Sequence, residues 1–359
     1  MFDKSAIFQT TVAVAIAVGG LDTGRACAQD RHRSVAIVSG NRVIIDKRTV
    51  RDKQSISEKQ VTGNKPTARA DEDAAAVALR NCIVRLVHGP ACDASVRQTV
   101  WSTEKEVVGV GQYVTAGGGT GRYRMSLTMH DGVAKHAVMQ ICDGRLAWTR
   151  TDIGGRISLR RVDVSRLDSW VLSNPNSHPA DSHRGHSLSV HPSHRVGGLV
   201  EMLDQLTTDH DLQLASAKLD DAPVVVVTAT MTPDAIAAYC GRHGIGQISS
   251  LHPTQMRIAI ATGDDPQTGF GAGLPQRLEV WSDPVESSSQ TNEDDTATRN
   301  RRLISLIQLH SIRQIEPPPA AEFRYDNRDG NVEFINETDR YLERHGIRLT
   351  EAQQLQLRR

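Results

Sequence analysis

Residues 111–159 read GQYVTAGGGTGRYRMSLTMHDGVAKHAVMQICDGRLAWTRTDIGGRISL. Short runs of alternating apolar and polar residues are separated by Gly-rich and Asp-Gly turns. This is the pattern of an antiparallel β-meander, not of a nucleotide-binding α/β domain. In Tyr123-Arg124-Met125-Ser126-Leu127-Thr128-Met129 the odd positions are all large and apolar, and the even ones are polar or charged. One face of that strand therefore covers a core or lines a cavity. Asp131-Gly132 and Asp143-Gly144 suit tight hairpins, in which both central residues take positive φ. Strands are predicted near Thr99–Val114, Arg122–His130, Val133–Cys142, Leu146–Asp152 and Arg156–Val164.

On the N-terminal side the period changes. Ala75, Ala78, Leu79, Cys82, Ile83 and Leu86 recur at helical spacing, so Glu72 to Val87 reads as an amphipathic helix ended by Gly89-Pro90. On the C-terminal side, a helical connection starts at Ser165. Gly197 to Leu206 is a second helix, with Leu199, Met202, Leu203 and Leu206 on one face. Leu212–Lys218 and Val224–Met231 form a hairpin across Asp220-Asp221, and Thr232-Pro233 opens another helix. Met256–Thr262, Arg277–Ser282 and Leu303–Arg313 complete the strands. The fold class is mainly β (α+β): a curved antiparallel sheet or unclosed β-barrel of about ten strands, with two or three helices plugging it.

Composition sets the boundaries. Residues 1–28 carry a weak basic start at Lys4, an apolar run from Thr11 to Val18 and the small-x-small triplet Ala26-Cys27-Ala28, the parts of an export signal. The apolar run is too short to span a bilayer, which needs about 20 residues. Residues 29–71 are polar and aperiodic and read as a disordered arm; 72–326 are the folded domain. Its insertions at 174–195 and 286–301 are polar, and 327–359 form a charged tail with a short helix. Export without a spanning segment places the chain in a periplasm or cell envelope, where membrane contact remains open. Lys+Arg and Asp+Glu are both 42, so no net charge draws it to nucleic acid.

Removing the signal takes away Cys27 and leaves Cys82, Cys92, Cys142 and Cys240. An even count in an exported chain permits disulfides. Cys82 and Cys92 are the candidate pair, closing a short loop around Gly89-Pro90. The alternative for Cys142 and Cys240 is a pair of buried thiols.

Catalytic signatures are missing. The sequence has no Gly-x-Ser-x-Gly elbow, no His-Glu-x-x-His and no Gly-Lys-Ser/Thr phosphate loop. The Gly117–Gly121 run lies within a hairpin and opens no helix. Asp220-Asp221 and Asp264-Asp265 sit in turns, where Asp is expected anyway. The chain is expected to be non-enzymatic and to need no cofactor. His178, His183, His186, His191 and His194 crowd one loop, and imidazole is a common metal ligand. His183, His186 and His191 are the metal candidates, against a solvated, weakly basic loop.

The chain also resembles the LolA/LolB-like superfamily of bacterial periplasmic proteins, which includes lipoprotein carriers and the related RseB-type sensor. The resemblance runs from about Glu72 to Tyr325. It rests on the opening helix, Gly109-Val110-Gly111-Gln112-Tyr113, Gly121-Arg122-Tyr123-Arg124-Met125, Gln140-Ile141-Cys142-Asp143-Gly144-Arg145-Leu146-Ala147-Trp148-Thr149, the Gly197-Gly198-Leu199 helix and the closing Phe323-Arg324-Tyr325-Asp326. It implies a half-barrel whose concave apolar face shelters a lipid, an acyl chain or a lipoprotein segment. Tyr123, Met125, Leu127, Met129, Met139 and Trp148 are the residues that would match such a face. The same residues also suit a permanently packed core, the commoner role of such a stripe, in an envelope module that senses or scaffolds a protein partner. Aromatic content is only 4%, a departure from the aromatic-lined cavities of carriers.

Overall fold

A computed structural model describes residues 57–58, 68–101, 106–173, 190–249, 251–283, 301–327, 332–347 and 349–350. The export signal at 1–28 lies outside the described residues, as do most of 29–71, His178, His183 and His186, and residues 284–300. In chain order the elements are β1 (Ser57–Glu58), α1 (Ala68–His88), β2 (Cys92–Trp101), β3 (Glu106–Thr115), β4 (Arg122–His130), β5 (Lys135–Asp143), β6 (Leu146–Ile153) and β7 (Arg156–Asp163). There follow α2 (Val164–Ser173), α3 (Gly198–Asp209), β8 (His210–Leu219), β9 (Ala222–Met231), α4 (Pro233–His243), β10 (Pro253–Ala261), β11 (Pro275–Ser282), β12 (Arg302–Gln314), β13 (Phe334–Asn336) and α5 (Thr338–Arg344).

The strands form one unclosed curved sheet of 13, ordered β1-β8-β9-β10-β11-β12-β2-β3-β4-β5-β6-β7-β13. Every neighbouring pair is antiparallel except β13 on β7, which is parallel. The class is as expected, with more strands. The predicted strand Thr99–Val114 is two, because Trp101 pairs with Glu106 and the chain reverses between them. β2 begins at Cys92, where the inward residues Cys92 and Ala94 are small and give a faint alternation. β1 lies inside the span read as a disordered arm, and β13 inside the span read as a tail.

Helices α1 and α3 fill the concavity. The predicted α1 stripe is buried, with Ala75, Leu79 and Ile83 at 0% exposure, and joins Leu199, Met202, Leu203 and Leu206 of α3 in one core. Complete burial of each such Leu or Ile contributes about 1.5–3 kcal/mol. The Gly117–Gly119 stretch is docked, not a free hairpin tip: Gly118 N–H donates to the Gly89 carbonyl and Gly119 N–H to the Val87 carbonyl. These contacts satisfy carbonyls that the end of α1 leaves unpaired.

The turns depart from the sequence expectation. In Asp131-Gly132 and Asp143-Gly144 only the glycine has positive φ. Each Asp instead accepts two backbone N–H groups through Oδ1, from Val133 and Ala134 and from Arg145 and Leu146. Two consecutive left-handed residues occur instead in the hairpin turns at Gly154-Gly155, at φ 60° and 80°, and at Asp220-Asp221, at φ 48° and 67°. The expected Cys82–Cys92 bridge is not formed. Cys82, Cys92, Cys142 and Cys240 are all free thiols. Cys82 sits on the inward stripe of α1 and Cys92 on the inward face of β2; burial pushes each thiol up to about 12. They act as small apolar core residues.

Candidate functional site

The register sorts the predicted ligand face. Residues directly paired across an antiparallel ladder share a face. Met125 pairs with Tyr113, Leu127 with Gly111 and Met129 with Gly109, and across the other edge Tyr123 pairs with Cys142. Tyr123, Met125, Leu127 and Met129 therefore lie together on the concave side. Met125 is 8% exposed, Leu127 4% and Met129 2%, all in the core cluster with α1 and α3. Gly109 and Gly111 leave room for them. A Cβ on Gly109 would meet the Met129 side chain, and one on Gly111 would clash with the Ser126 carbonyl oxygen.

Met139 and Trp148 are on the opposite side. Met139 pairs with Ser126, and Trp148 with Ile141, which pairs with Arg124. Alternation along β5 and β6 turns both away from the concavity. Trp148 serves the convex face. Its ring stacks on Tyr325 with centroids 5.0 Å apart, and Phe334 meets it edge-on at 5.5 Å. The Arg161 guanidinium carbon lies 4.2 Å from the Phe334 centroid. Resemblance ran along the chain and carried no parity, so it grouped six residues that the register divides.

α3 covers the apolar face and is held at its first turn. Gly197 and Gly198 both have positive φ, and a Cβ on Gly197 would clash with the Tyr123 hydroxyl. That hydroxyl donates to the Val196 carbonyl at 2.9 Å. Gly198 N–H donates to Gln140 Oε1. Glu201, 3% exposed, is the least expected residue here. Its carboxylate accepts from Gly197 N–H at 2.6 Å, the Tyr341 hydroxyl at 2.9 Å, Arg344 Nη1 at 2.7 Å and Gln205 Nε2 at 3.2 Å. Burial raises the Glu201 carboxyl, while the charge and donors of Arg344, Gly197 and Tyr341 oppose it. In the sequence, Glu201 is one acid amid an apolar helical stripe, and no short-range spacing links it to residues 341 and 344.

Beyond α3 the concave face turns polar. Gln140, Thr149 and Arg160 form one cross-strand row, with Thr151 and Ser158 beside it. All five are half-buried, and Arg160 is paired with Glu337 at 3.3 Å. A second buried charge group lies on the convex side, where Glu279 accepts from Arg277 Nε at 2.8 Å and Trp281 Nε1 at 3.2 Å.

Of the metal candidates, only His191 is described. Its ring lies 5.9 Å from that of His194, which lies 6.0 Å from that of His88. His191 Nδ1 is 4.0 Å from Asp168 Oδ1. Burial, with the neighbouring His191 and His88, lowers the His194 pKa against the pull of Asp168. Among the described residues no group of three or more His, Cys, Asp or Glu side chains is disposed to hold a metal ion, and no helix is long and apolar enough to cross a membrane.

No protein-family model and no curated protein matches the chain. Among solved structures it is similar to the MucA/MucB complex of Pseudomonas aeruginosa, at 13% identity and a TM-score of 0.31 over 70% of this chain and 61% of that one. It thus spans about three fifths of that relative. A LolA superfamily protein from Nitrosomonas europaea matches at 12% identity and a TM-score of 0.26, covering 70% of this chain and 98% of that chain. A putative outer membrane lipoprotein-sorting protein domain from Vibrio parahaemolyticus matches at 7% identity and a TM-score of 0.29, covering 74% and 99%.

Proposed function

We propose that this chain is an exported, non-enzymatic envelope protein that binds an acyl chain, a lipid or a lipoprotein segment on the apolar concave face. One observation carries the reading: the concave stripe of β4 is apolar along its length and is covered by a helix, not by another sheet. Met125, Met129, Met202 and Met256 all belong to that core. Unbranched Met side chains repack around a flexible chain more readily than branched ones do. Each CH₂ of a guest transferred onto the face would gain about 0.8 kcal/mol. Entry requires α3 to move, because α3 now occupies the space.

The burial of that face favours a second reading, in which the core is permanently packed and the outer surfaces meet a protein partner. Native mass spectrometry with lipid extraction on the mature protein from its own envelope separates the two. A bound lipid or acylated peptide of defined mass, or saturable uptake of a fluorescent fatty-acyl probe, supports the first. A clean apo mass with no probe uptake overturns it in favour of the second.

A further inference from the structure

The chain after β12 wraps the last strand from one face of the sheet to the other. Residues 320–323 form a 3-10 turn against the convex face, where Phe323, 1% exposed, packs with Val114 and Ala116. Tyr325 and Phe334 then rest on Trp148. β13 adds to the edge of β7 through Phe334, Ile335 and Asn336. Thr338 next joins the two: its Oγ1 accepts from Asp163 N–H at 2.9 Å. α5 then turns onto the concave side, where Tyr341 and Leu342 pack with Cys142, Ala147 and Val162. From there Tyr341 and Arg344 reach the buried carboxylate of Glu201 at the start of α3. The Arg344 guanidinium carbon also lies 4.6 Å from the centroid of the Tyr341 ring, so the two donors brace each other.

We infer that residues 332–347 are a strap that fastens α3 over the apolar face through Glu201, Tyr341 and Arg344, and that loosening this contact uncovers the face. The architecture suits such a device. α3 joins the rest of the chain at Gly197-Gly198, where the backbone is not limited by a side chain. β13 is only 3 residues long and α5 only 7, so the strap is held by few backbone contacts. The Glu201 carboxylate is buried on α3, so the seated position of α3 depends on the donors that satisfy it. The inference rests on the proposed ligand face only for what would enter; the coupling of α5 to α3 stands apart from it.

The test is hydrogen exchange followed by mass spectrometry on the full chain, comparing wild type with Tyr341→Phe and Arg344→Met. Tyr341→Phe keeps the ring that packs under α5 and removes only the hydroxyl, so it preserves the fold if Arg344→Met does not. The expected result is exchange in α3 (198–209) faster by roughly tenfold, the worth of one hydrogen bond to a charged group. α5 should speed up with it, while α1 and β2–β4 keep wild-type protection. Unchanged α3 exchange in Tyr341→Phe, or equal acceleration of every element, overturns the strap. The same samples are then offered a fluorescent fatty-acyl probe. Faster α3 exchange with greater uptake supports both the strap and the acyl reading. Faster α3 exchange without any uptake supports the strap and overturns the acyl ligand.

Discussion

At the residue scale, the two acidic turns differ in what their carboxylates do. Asp220 and Asp221 occupy left-handed positions at φ 48° and 67°. L-residues pay for that conformation with a clash between Cβ and the backbone. Asp221→Gly should therefore stabilise the chain by about 0.5–1 kcal/mol, read as a higher urea midpoint at unchanged slope. Asp131 is different. Burial alone would raise its carboxyl, but the N–H groups of Ala134 and Val133 and the His136 imidazole outweigh that and hold it at about 2, below the ordinary 3.8. His136 Nε2 is 3.2 Å from Asp131 Oδ2. A carboxyl depressed by folding stabilises the native state above its unfolded pKa, and that stability is lost as pH falls through the folded value. Urea midpoints measured from pH 5 down to 2 should fall in the wild type, and fall less steeply in Asp131→Asn. Equal slopes would show that Asp131 contributes nothing to acid unfolding. Both Asp-Gly turns were legible as turns. Their geometry was not, because a side-chain oxygen accepting two N–H groups replaces the second left-handed residue.

At the element scale, α3 shows what periodicity reveals and conceals. Leu199, Met202, Leu203 and Leu206 were readable as its buried face because they recur at helical spacing. Leu203 is at 0% exposure, so Leu203→Ala should cost about 2–5 kcal/mol in chemical unfolding. Leu172 in α2 is 68% exposed, and its truncation should stay within about 0.5 kcal/mol. Similar losses at the two sites would contradict the assigned core. Glu201, on the same helix, was invisible to this reasoning. A helical stripe identifies apolar positions, while a buried acid is identified only by partners that arrive from elsewhere. The strand alternation likewise grouped Tyr123, Met125, Leu127 and Met129 correctly within β4. It could not say that Met139 and Trp148, on neighbouring strands, have the opposite parity, because parity across strands depends on register.

At the scale of the whole molecule, the C-terminal segment closes the structure. Arg344 joins a guanidinium to a carboxylate that is 4% exposed, at 2.7 Å. Removing one member of a buried pair leaves the other uncompensated and typically costs about 3–5 kcal/mol. Arg344→Met should lower stability by an amount near the bottom of that range, since Tyr341, Gly197 and Gln205 still serve the carboxylate and Arg344 itself is 35% exposed. The Tm from thermal unfolding checks this, and no shift would mean that the pair is screened by solvent. The cost should shrink in Glu201→Gln, where no buried charge remains to be neutralised.

The sequence by itself determined the class of fold and the faces of its elements. The mixed pattern of period-two runs, two amphipathic helices and turn residues is compatible with a curved antiparallel sheet holding helices on one side. These are local signals, carried within one element and fixed by backbone geometry. Only the tertiary structure decided that β12 lies beside β2, that Cys82 and Cys92 are unbridged thiols, that Trp148 faces outward to receive Tyr325 and Phe334, and that a charged tail returns to anchor Glu201. Each of these joins residues far apart in the chain. Their energies come from burial and charge pairing, which exist only once the partners have met.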